Sequence, residues 1–313
     1  MSRSRRHRPI SPFPQEHGID AMRVSMPMDG AWTTVRDHLV DRFTSLTSDQ
    51  VDGAIAAGDV ATTDGRAITA QTKFVAGQVV FVRRAFEPEP VVPFDIPVVH
   101  EDARILVVDK PPFLATMPRG AHITQTAVAR LRVQLDIPTL SPAHRLDRLT
   151  SGLLLLTKEP HWRGAYQQVF AARRIKKTYL ALAPAIEGFE RWVDIRLHLA
   201  KEHGVPAAHI DADHPQPNAH TMIRRAQDIG DNAVYELRPV TGRTHQLRAT
   251  MGHVGAPIIG DPLYPQIVHR ARDDFSVPLQ LLAHSLAFED PVTRRPLQFT
   301  SRRAFPLENT AAQ

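Results

Sequence analysis

Two polar segments that lie far apart in the chain contain the residue types that carboxylate chemistry requires. The first, residues 141–158, reads SPAHRLDRLTSGLLLLTK and places Asp147 between Arg145 and Arg148. Four leucines follow Gly152, and such a run predicts a strand buried on both faces that anchors the polar loop before it. These residues are compatible with a catalytic carboxylate at Asp147. A structural Arg–Asp ion pair is an equally good interpretation of this segment alone.

The second segment, residues 238–265, reads RPVTGRTHQLRATMGHVGAPIIGDPLYP. Gly242 permits a tight turn after a predicted strand, and Arg243 and Arg248 flank the start of a predicted helix. A guanidinium can hold a carboxylate through two parallel hydrogen bonds and keep it ionised, so we expect Arg243 to face Asp147. The alternative is a helix N-terminal loop that packs without taking part in chemistry.

The third segment, residues 173–183, reads RRIKKTYLALA and combines the densest cation cluster of the chain with a tyrosine. Tyr179 lies inside a predicted strand, where a buried phenol needs a hydrogen-bond partner, so a role in a site stays open beside a role in the core. Clustered cations are typical of phosphate-binding surfaces and equally of solvated faces. The cations concerned are Arg173, Arg174, Lys176 and Lys177.

Short strands separated by a few helices must position these segments. The sequence pattern predicts strands at 104–108, 153–157, 178–183, 193–198, 222–227 and 233–238, and helices at 124–135, 162–173 and 246–254. This order lacks the regular alternation of strand and helix that is typical of parallel sheets. We therefore predict an α+β fold, with a mixed, mainly antiparallel sheet and flanking helices.

The chain before the predicted sheet has a different character, and shifts in composition divide it. Its first residues contain several arginines and prolines without periodicity, which is typical of a mobile arm. A Pro-rich stretch further on predicts a semi-rigid linker. The predicted organisation is a flexible basic arm at 1–30, a small domain at 31–86, a linker at 87–96, a main domain with all three polar segments at 97–305 and a tail at 306–313.

The small domain at 31–86 shows helix, turn, helix, Gly-Asp-Val, turn and strand. This order is similar to the αL-motif RNA-binding module. Such a module presents cations to phosphates. Residues 48–64 instead contain four aspartates and no Lys or Arg, so we expect a degenerate module with a structural role and reduced contact with RNA.

Composition excludes several kinds of chemistry. The 313 residues include no cysteine, which excludes disulfides, thiol nucleophiles and Cys-ligated zinc or iron–sulfur sites. No apolar run approaches the ~20 residues of a membrane span, and the N-terminus lacks the apolar region of a secretory signal. The formal net charge is +5, and 32 of the 38 Lys and Arg residues are Arg. Arg suits bidentate recognition of phosphate, although the base composition of a genome also enriches Arg.

The three polar segments, in this order, resemble motifs of the RluA-type family of RNA pseudouridine synthases. HRLDRLTSGLLLLTK resembles the central motif of the family, KKTYLAL its tyrosine-bearing strand and GRTHQLR the motif with its basic residue. RILVVDKPPFLATMPRG, residues 104–120, resembles the first motif and GDPLYP the last, so the resemblance covers about residues 97–305. Leu149 and Met117 depart from the residues common in the family, and we expect both to bear on which RNA is recognised.

This resemblance implies the pseudouridine synthase fold and an isomerase that converts uridine in RNA to pseudouridine. It implies Asp147 as the essential carboxylate, Tyr179 as a base stacked on the uracil, and Arg243 as the cation that keeps Asp147 ionised. The reaction exchanges a C1′–N1 bond for a C1′–C5 bond without redox change or phosphate transfer, so we expect no cofactor and no metal. The uracil must be flipped out of the RNA to react. The expected RNA-binding residues are Arg145 in the vacated stack, Leu263 as an apolar wall for the base, and Arg148, Arg173, Arg174, Lys176 and Lys177 at phosphates.

The resemblance does not name the RNA. We expect ribosomal RNA, 23S rRNA in particular, ahead of transfer RNA, and a monomeric, cytoplasmic protein without membrane association. Two alternatives come from other classes. His144, Asp147 and His245 could ligate zinc, although the sequence has no HExxH motif. A non-catalytic RNA-binding paralogue of the same fold is the other alternative, and the presence of all three expected catalytic residues argues against it.

Overall fold

The computed structural model describes residues 9–202 and 204–307, and the chain divides into two units between Pro88 and Glu89. Arg3, Arg5, Arg6 and Arg8 of the expected arm lie outside the described residues, as do the last six residues of the expected tail. No helix in the described part of the chain is long and apolar enough to cross a bilayer.

The first unit is a three-stranded antiparallel sheet with two helices. Its strands are β1 (Met22–Ser25), β2 (Val60–Thr62) and β3 (Val79–Val82), in the order β1-β3-β2, and its helices are α1 (Val35–Arg42) and α2 (Ser48–Ala56). Each helix begins with a capping box, formed by Thr34 with Asp37 in α1 and by Thr47 with Gln50 in α2. These side chains satisfy backbone N–H groups that have no partner within the helix, which fixes where each helix begins.

Three of the four aspartates that set the first unit apart from a cationic RNA-binding module have arginine partners within the unit. Arg36 of α1 donates two hydrogen bonds, of 2.5 and 2.7 Å, to Asp52 of α2. Arg83 lies 3.5 Å from Asp59, and Arg66 lies 3.0 Å from Asp64. The pair between α1 and α2 holds the two helices to each other, so at least this aspartate has a structural role.

The boundaries of the two units differ from the predicted domain boundaries. Strand β1 lies within the expected arm at 1–30, and Val24 is fully buried in the core of the first unit. Within the expected linker at 87–96, Val92 and Phe94 are buried in the core of the second unit. In both segments every second residue is apolar, and this spacing turns the apolar side chains to one side of an extended chain. Both segments therefore pack against a unit and are neither a free arm nor a free linker.

The second unit contains the remaining secondary structure of the described chain. Its helices are α3 (Ala127–Gln134), α4 (Pro160–Ala171) and α5 (Gln246–His253). Its strands are β4 (Val98–Glu101), β5 (Ile105–Lys110), β6 (Ser141–Pro142), β7 (Ser151–Thr157), β8 (Ile175–Pro184), β9 (Val193–Leu197), β10 (Leu199–Ala200), β11 (His209–Ile210), β12 (Ala219–Ile229), β13 (Asn232–Pro239), β14 (Leu281–Glu289) and β15 (Pro296–Thr300).

Ten of these strands form one sheet in the order β4-β5-β7-β14-β8-β13-β12-β9, with β6 also paired to β7 and β15 to β14, while β10 and β11 pair separately. Neighbouring strands are antiparallel except β7 and β14, which are parallel. This confirms the predicted α+β fold with a mixed, mainly antiparallel sheet. The predicted strands and helices match observed ones, whereas six strands of this unit were not predicted, namely β4, β6, β10, β11, β14 and β15.

Strand β7 is buried on both faces, as its leucine run predicts. Leu154 and Leu156 belong to the larger core, which α3 and α5 cover, whereas Leu153 and Leu155 belong to a second core that includes residues of α4. All seven residues of β7 are buried. The polar loop before β7 is therefore attached to one of the most constrained strands of the fold.

Gly152 allows β7 to lie close to β14. Its φ of +105° is in the region that favours glycine, and a Cβ atom at this position would lie 2.4 Å from the carbonyl oxygen of Ala283. The loop that contains Asp147 thus joins the sheet at its parallel pair of strands.

Candidate active site

A cleft of about 760 Å³ opens in the second unit where three segments meet. These segments are the loop before β7, the start of β8 and the loop between β13 and α5. Among the described residues that line it, one carboxylate, Asp147, lies among five cations, and such an imbalance favours an anionic ligand. The cations are Arg145, Arg173, Lys177, Arg243 and Arg248.

His144 holds the start of the Asp147 loop. Its Nε2 accepts the backbone N–H of Leu155 in β7 at 3.1 Å, and its ring stacks on Phe170 of α4 with the ring centres 4.3 Å apart. Burial, and to a smaller degree the charge of Lys177, lowers the pKa of His144 to about 3. The imidazole is therefore neutral at neutral pH, with its proton on Nδ1, and serves as a fixed structural acceptor.

The residues on either side of Asp147 are held by β5 and the loop after it. The Thr116 hydroxyl donates to the carbonyl of Leu146 at 2.8 Å and accepts the N–H of the same residue at 3.1 Å. Fully buried Lys110 donates to the carbonyl of Arg148 at 3.3 Å. The backbone on both sides of Asp147 is thus hydrogen-bonded to a buried side chain, which is how a reactive group is preorganised.

The Asp147 carboxylate itself accepts no hydrogen bond from any residue among 9–202 and 204–307. Its charge nevertheless acts on its surroundings. Burial raises the pKa of Tyr179, and the charge of Asp147 raises it further. Burial lowers the pKa of His245, and the charge of Asp147 partly opposes that shift. A carboxylate without a partner in a cationic cleft is available for reaction.

Two buried cations, Arg248 of α5 and Lys110, interact electrostatically with Asp147, and of the two only Arg248 lines the cleft. The Arg248 side chain is 3% exposed and donates two hydrogen bonds, of 2.7 and 2.6 Å, to the fully buried carboxylate of Asp261. Burial lowers the pKa of Arg248, but the hydrogen bond and charge of Asp261, together with the charge of Asp147, outweigh burial, so the pKa is raised. Sequence reasoning had placed Arg248 only at the start of the helix. Arg248 lies within the largely apolar stretch LRATM, and a single arginine in such a stretch could have indicated a buried cation that is paired with a carboxylate.

The structure corrects the prediction that Arg243 holds Asp147. Arg243 is exposed, and its Nε donates to the carbonyl of Asn218 at 3.3 Å, while its backbone N–H donates to Oε1 of Gln246 at 3.0 Å. It lines the cleft but forms no ion pair with Asp147 in the described part of the chain. Because α5 begins only at Gln246, Arg243 stays in the turn before the helix, whereas Arg248 lies on the buried side of the first helical turns.

Tyr179 of β8 lies in the same cleft as Asp147 and is 9% exposed. Since burial and the charge of Asp147 both raise its pKa, the phenol stays protonated throughout the physiological range. This state opposes the expected role as a general base. It leaves Tyr179 as a hydrogen-bond donor and as a flat surface against which a base can stack.

Five of the predicted RNA-binding cations line one or both of two concave surfaces in the second unit. Arg145, Arg173 and Lys177 line the cleft with Asp147. Arg174 and Lys176 lie outside it and, with Arg173, line a second groove of about 690 Å³ beside β14 and β15. The cation cluster after α4 therefore joins the two concave surfaces.

Two predicted substrate-binding residues are placed differently. Arg148 turns inward, where its Nη1 donates to the carbonyl of Phe113 at 3.4 Å. Leu263 is not among the described residues that line the cleft, and its backbone N–H donates to Asp261 at 2.8 Å. The apolar part of the cleft wall comes from other residues, which include Leu146, Leu247 and Leu281. Arg148, expected at a phosphate, and Leu263, expected as an apolar wall for the base, are thus not among the described residues that line this cleft.

The two departures from the family pattern have different environments. Leu149 is buried in the larger core, so it has no access to RNA. Met117 is 40% exposed and lines the cleft. Of the two, only Met117 is positioned to affect which RNA is recognised.

The described residues do not supply the ligands that the zinc alternative requires. Within residues 9–202 and 204–307, no group of three or more His, Asp or Glu side chains could hold a metal ion. His144, one of the three residues of that alternative, accepts the N–H of Leu155 at its Nε2.

Comparison with known proteins bears on the same segments. Residues 104–253 match the family described as RNA pseudouridylate synthase. The chain is 31% identical over 245 residues to RNA pseudouridine synthase 7 of Arabidopsis thaliana, an alignment that covers 74% of this chain and 61% of that protein. It is 32% identical over 221 residues to the dual-specificity RNA pseudouridine synthase RluA of Yersinia pestis, which covers 66% of this chain and 99% of that protein.

A solved structure shows the same fold. Human RNA Pseudouridylate Synthase Domain Containing 1 superposes with a TM-score of 0.54 at 26% identity, over 68% of this chain and 86% of that one. The chain spans only 61% and 46% of the two plant relatives named RNA pseudouridine synthase 7. It nevertheless covers nearly the whole Yersinia pestis relative, and four of the five motifs contribute residues to one cleft. The chain therefore belongs to the RluA-type family of RNA pseudouridine synthases.

Proposed function

We propose that this chain isomerises uridine in RNA to pseudouridine and that Asp147 is the essential carboxylate. The observation that carries the proposal is a carboxylate without a hydrogen-bond partner, on a loop held by buried side chains, in a cleft lined by five cations. Membership of the RluA-type family supports the reaction type. An ionised carboxylate near C1′ can act as a nucleophile, remove a proton from the 2′ carbon or stabilise oxocarbenium character in the sugar.

Arg248 takes the role that the sequence had given to Arg243. Its two hydrogen bonds to buried Asp261 fix the plane of the guanidinium, so its charge stays in place near Asp147 during the reaction. Tyr179 acts as a protonated phenol that orients the uracil by stacking or by donating a hydrogen bond. Arg248 and Asp261 are positioning residues, and Asp147 and Tyr179 meet the substrate.

The charge of the cleft supports RNA as the substrate. A uracil within structured RNA must be flipped out to reach Asp147, and exposed Arg145, two residues before it, is the candidate to fill the vacated stack. Arg173, Arg174, Lys176 and Lys177 would neutralise phosphates on both sides of the flipped nucleotide. Met117 is the candidate for a contact that depends on the flanking sequence.

The names of related proteins span two classes of RNA. One relative is named a tRNA pseudouridine(32) synthase of yeast mitochondria, and another a ribosomal large subunit pseudouridine synthase of Xanthomonas campestris. For this chain we propose 23S rRNA first, because the order of elements in its first unit is similar to the αL-motif module, and transfer RNA second.

The test measures proton release from C5. Unmodified 23S rRNA and transfer RNA transcripts with tritium at C5 of uridine are incubated with the intact chain and with Asp147→Asn. We expect the intact chain to release tritium to water from one class of transcript, and Asp147→Asn to release none while it retains RNA affinity. Exposed Asp213→Asn, outside the cleft, is the matched control and should behave as the intact chain does.

Full activity in Asp147→Asn would contradict the proposed role of this carboxylate. RNA binding by the intact chain without tritium release from any transcript would favour the non-catalytic RNA-binding paralogue instead.

A further inference from the structure

The proposed reaction needs a base that removes the proton from C5 of the uracil, and the functions proposed for Asp147, Tyr179 and Arg248 do not include this step. When the C1′–N1 bond breaks, its electron pair stays with N1. When the C1′–C5 bond forms, C5 still holds its hydrogen, which must leave as a proton so that the electron pair of the C5–H bond can restore the ring double bond. One proton leaves C5 and one arrives at N1, so the step needs an acceptor close to the uracil but no other reactant.

Three titratable groups near Asp147 are unsuited to accept this proton. Burial and the charge of Asp147 raise the pKa of Tyr179, which keeps the phenol protonated. His144 uses its Nε2 lone pair for the N–H of Leu155. Lys110 is fully buried, and its Nζ donates to the carbonyls of Pro111, Leu114 and Arg148 at 2.8, 2.8 and 3.3 Å.

His245 is a further group that lines the cleft with Asp147, and its geometry is unusual. It is the N-cap of α5 and has a φ of +55°, a left-handed conformation that is uncommon outside glycine. Its Nδ1 lies 3.3 Å from Oη of Tyr264, with the two rings nearly perpendicular. A backbone conformation of this kind persists only where the surroundings hold it, and such positions cluster at functional sites.

The hydrogen bonds of Tyr264 determine which nitrogen of His245 holds the proton. The Tyr264 hydroxyl accepts the N–H of Ala208 at 2.7 Å and donates to the carbonyl of Ala208 at 2.9 Å. Burial raises the pKa of Tyr264 to about 12, so the hydroxyl keeps its one proton. The hydroxyl donates this proton to the carbonyl of Ala208 at 2.9 Å, because Nδ1 of His245 is farther away, at 3.3 Å. Nδ1 of His245 must then donate to Tyr264, which leaves Nε2 as the unprotonated nitrogen of the neutral ring. Nε2 forms no hydrogen bond with any described residue.

Burial favours this neutral state. It lowers the pKa of His245, the charges of Asp147 and Asp261 oppose that shift, and those of Arg248 and Lys201 add to it. The ring is therefore unprotonated at neutral pH, which is the state that a general base requires.

We propose that His245 is the general base of this reaction, with Nε2 accepting the proton that leaves C5 and delivering it to N1 or to water. This inference rests on the proposed pseudouridine synthase function. The hydrogen bond to Tyr264 orients the ring and keeps the proton of the neutral imidazole on Nδ1, so that Nε2 has a free lone pair at a residue that lines the cleft with Asp147.

The test uses His245→Asn in the full chain. The amide nitrogen of Asn can replace Nδ1 as the donor to Tyr264, and Asn tolerates a left-handed backbone, so this change removes the base and little else. His253→Asn, in the last turn of the same helix, is exposed and outside the cleft, and serves as the matched control. His245→Gly, which also accepts a positive φ, is measured with and without added imidazole.

Three transcripts separate the steps: unmodified RNA, RNA with deuterium at C5 of uridine, and RNA with 5-fluorouridine, which has no C5 proton to lose. For His245→Asn we expect single-turnover formation of pseudouridine to slow ~100-fold or more, the range that a general base contributes. We expect a deuterium isotope effect to emerge in this variant, RNA affinity to be unchanged, and consumption of 5-fluorouridine RNA to match that of the intact chain. Imidazole should partly restore His245→Gly.

Different outcomes separate the two proposals. A rate for His245→Asn close to that of His253→Asn would overturn the role of His245, as would an equal slowing with 5-fluorouridine RNA, because a positioning role would slow every step. Failure of the intact chain to make pseudouridine in any transcript would instead overturn the proposed function, and this inference with it.

Discussion

Arg248 and Arg243 differ by five positions in the sequence, yet they have different environments in the cleft. Arg248 is buried against Asp261 through two hydrogen bonds, and its charge acts on Asp147. Arg243 is exposed in the turn before α5 and bonds a backbone carbonyl. The distinction matters because a lysine can replace the charge of a guanidinium but not its two parallel hydrogen bonds.

We therefore expect Arg248→Lys to fold but to slow pseudouridine formation at saturating RNA by about tenfold or more, because the cation is no longer held in one geometry. Arg243→Gln should change this rate little, weaken RNA binding, and reduce the slope of log affinity against log salt by about 1, as the loss of one phosphate contact does. Single-turnover rates and salt titrations of RNA affinity check both expectations. An equal loss of rate in the two variants would contradict the assignment of Arg248.

At the scale of elements, the site depends on how closely β7 approaches β14. These strands form the parallel pair of the large sheet, with Ser151 opposite Leu282 and Gly152 opposite Ala283. The same pair connects β5 and β7 on one side with β8, β13, β12 and β9 on the other. Asp147 precedes β7 and Tyr179 lies on β8, so the separation across β14 sets how far apart these two residues are.

We expect Gly152→Ala to destabilise the second unit by roughly 2 kcal/mol or more, because the new Cβ meets the Ala283 backbone and the backbone has a positive φ. Gly164 of α4 is the matched control, since a Cβ there meets nothing within 4 Å. Gly164→Ala should leave the stability unchanged or raise it by about 0.5–1 kcal/mol. Denaturant unfolding at neutral pH measures both free energies, and a tolerated Gly152→Ala would show that the strands can separate without cost.

At the scale of the whole molecule, each unit contains a histidine that is neutral in the folded state. In the first unit, His38 packs against Trp32 and Phe74, and neither ring nitrogen has a hydrogen-bond partner among the described residues. Burial, with the charge of Arg42, lowers its pKa, although Asp41 opposes the shift. In the second unit, burial lowers the pKa of His144 to about 3.

These shifts predict loss of stability in acid. The unfolded chain binds a proton at each histidine near pH 6.5, whereas folded His144 binds one only near about 3, so the unfolded state holds more protons between these values. The contribution is fully present above pH 6.5 and decreases as the pH falls, by up to about 1.4 kcal/mol per pH unit for His144. The free energy of unfolding, measured at pH 7.5 and 5, should fall for both units.

Variants assign the effect to each unit. His144→Gln should flatten the pH dependence of the second unit, which contains Trp162 and Trp192, and His38→Phe that of the first, which contains Trp32. Single-tryptophan variants would follow each unit separately by fluorescence. An unchanged pH dependence in both variants would place the acid sensitivity at other groups.

The sequence by itself determined the elements and the type of chemistry. A run of four leucines after Gly152 predicted a strand buried on both faces, and the resemblance of HRLD and its neighbours to a family motif, rather than the segment alone, pointed to Asp147. The sequence could not distinguish Arg243 from Arg248, since both flank the same helix and only packing decides which side chain becomes buried. Nor could it show that Lys110 and Thr116 hold the Asp147 loop, or that Val92 and Phe94 enter the core.

Only the tertiary structure decided these points, because each depends on residues that are distant in the chain. Arg248 is fixed by Asp261, and the tautomer of His245 follows from a tyrosine that is itself hydrogen-bonded to Ala208. Strand β14 was not predicted, although it joins the two halves of the sheet, since its place is set by its pairing with β7 and β8. Local sequence thus determined which groups are available for the reaction, and long-range packing determined their partners, their protonation states and their separation.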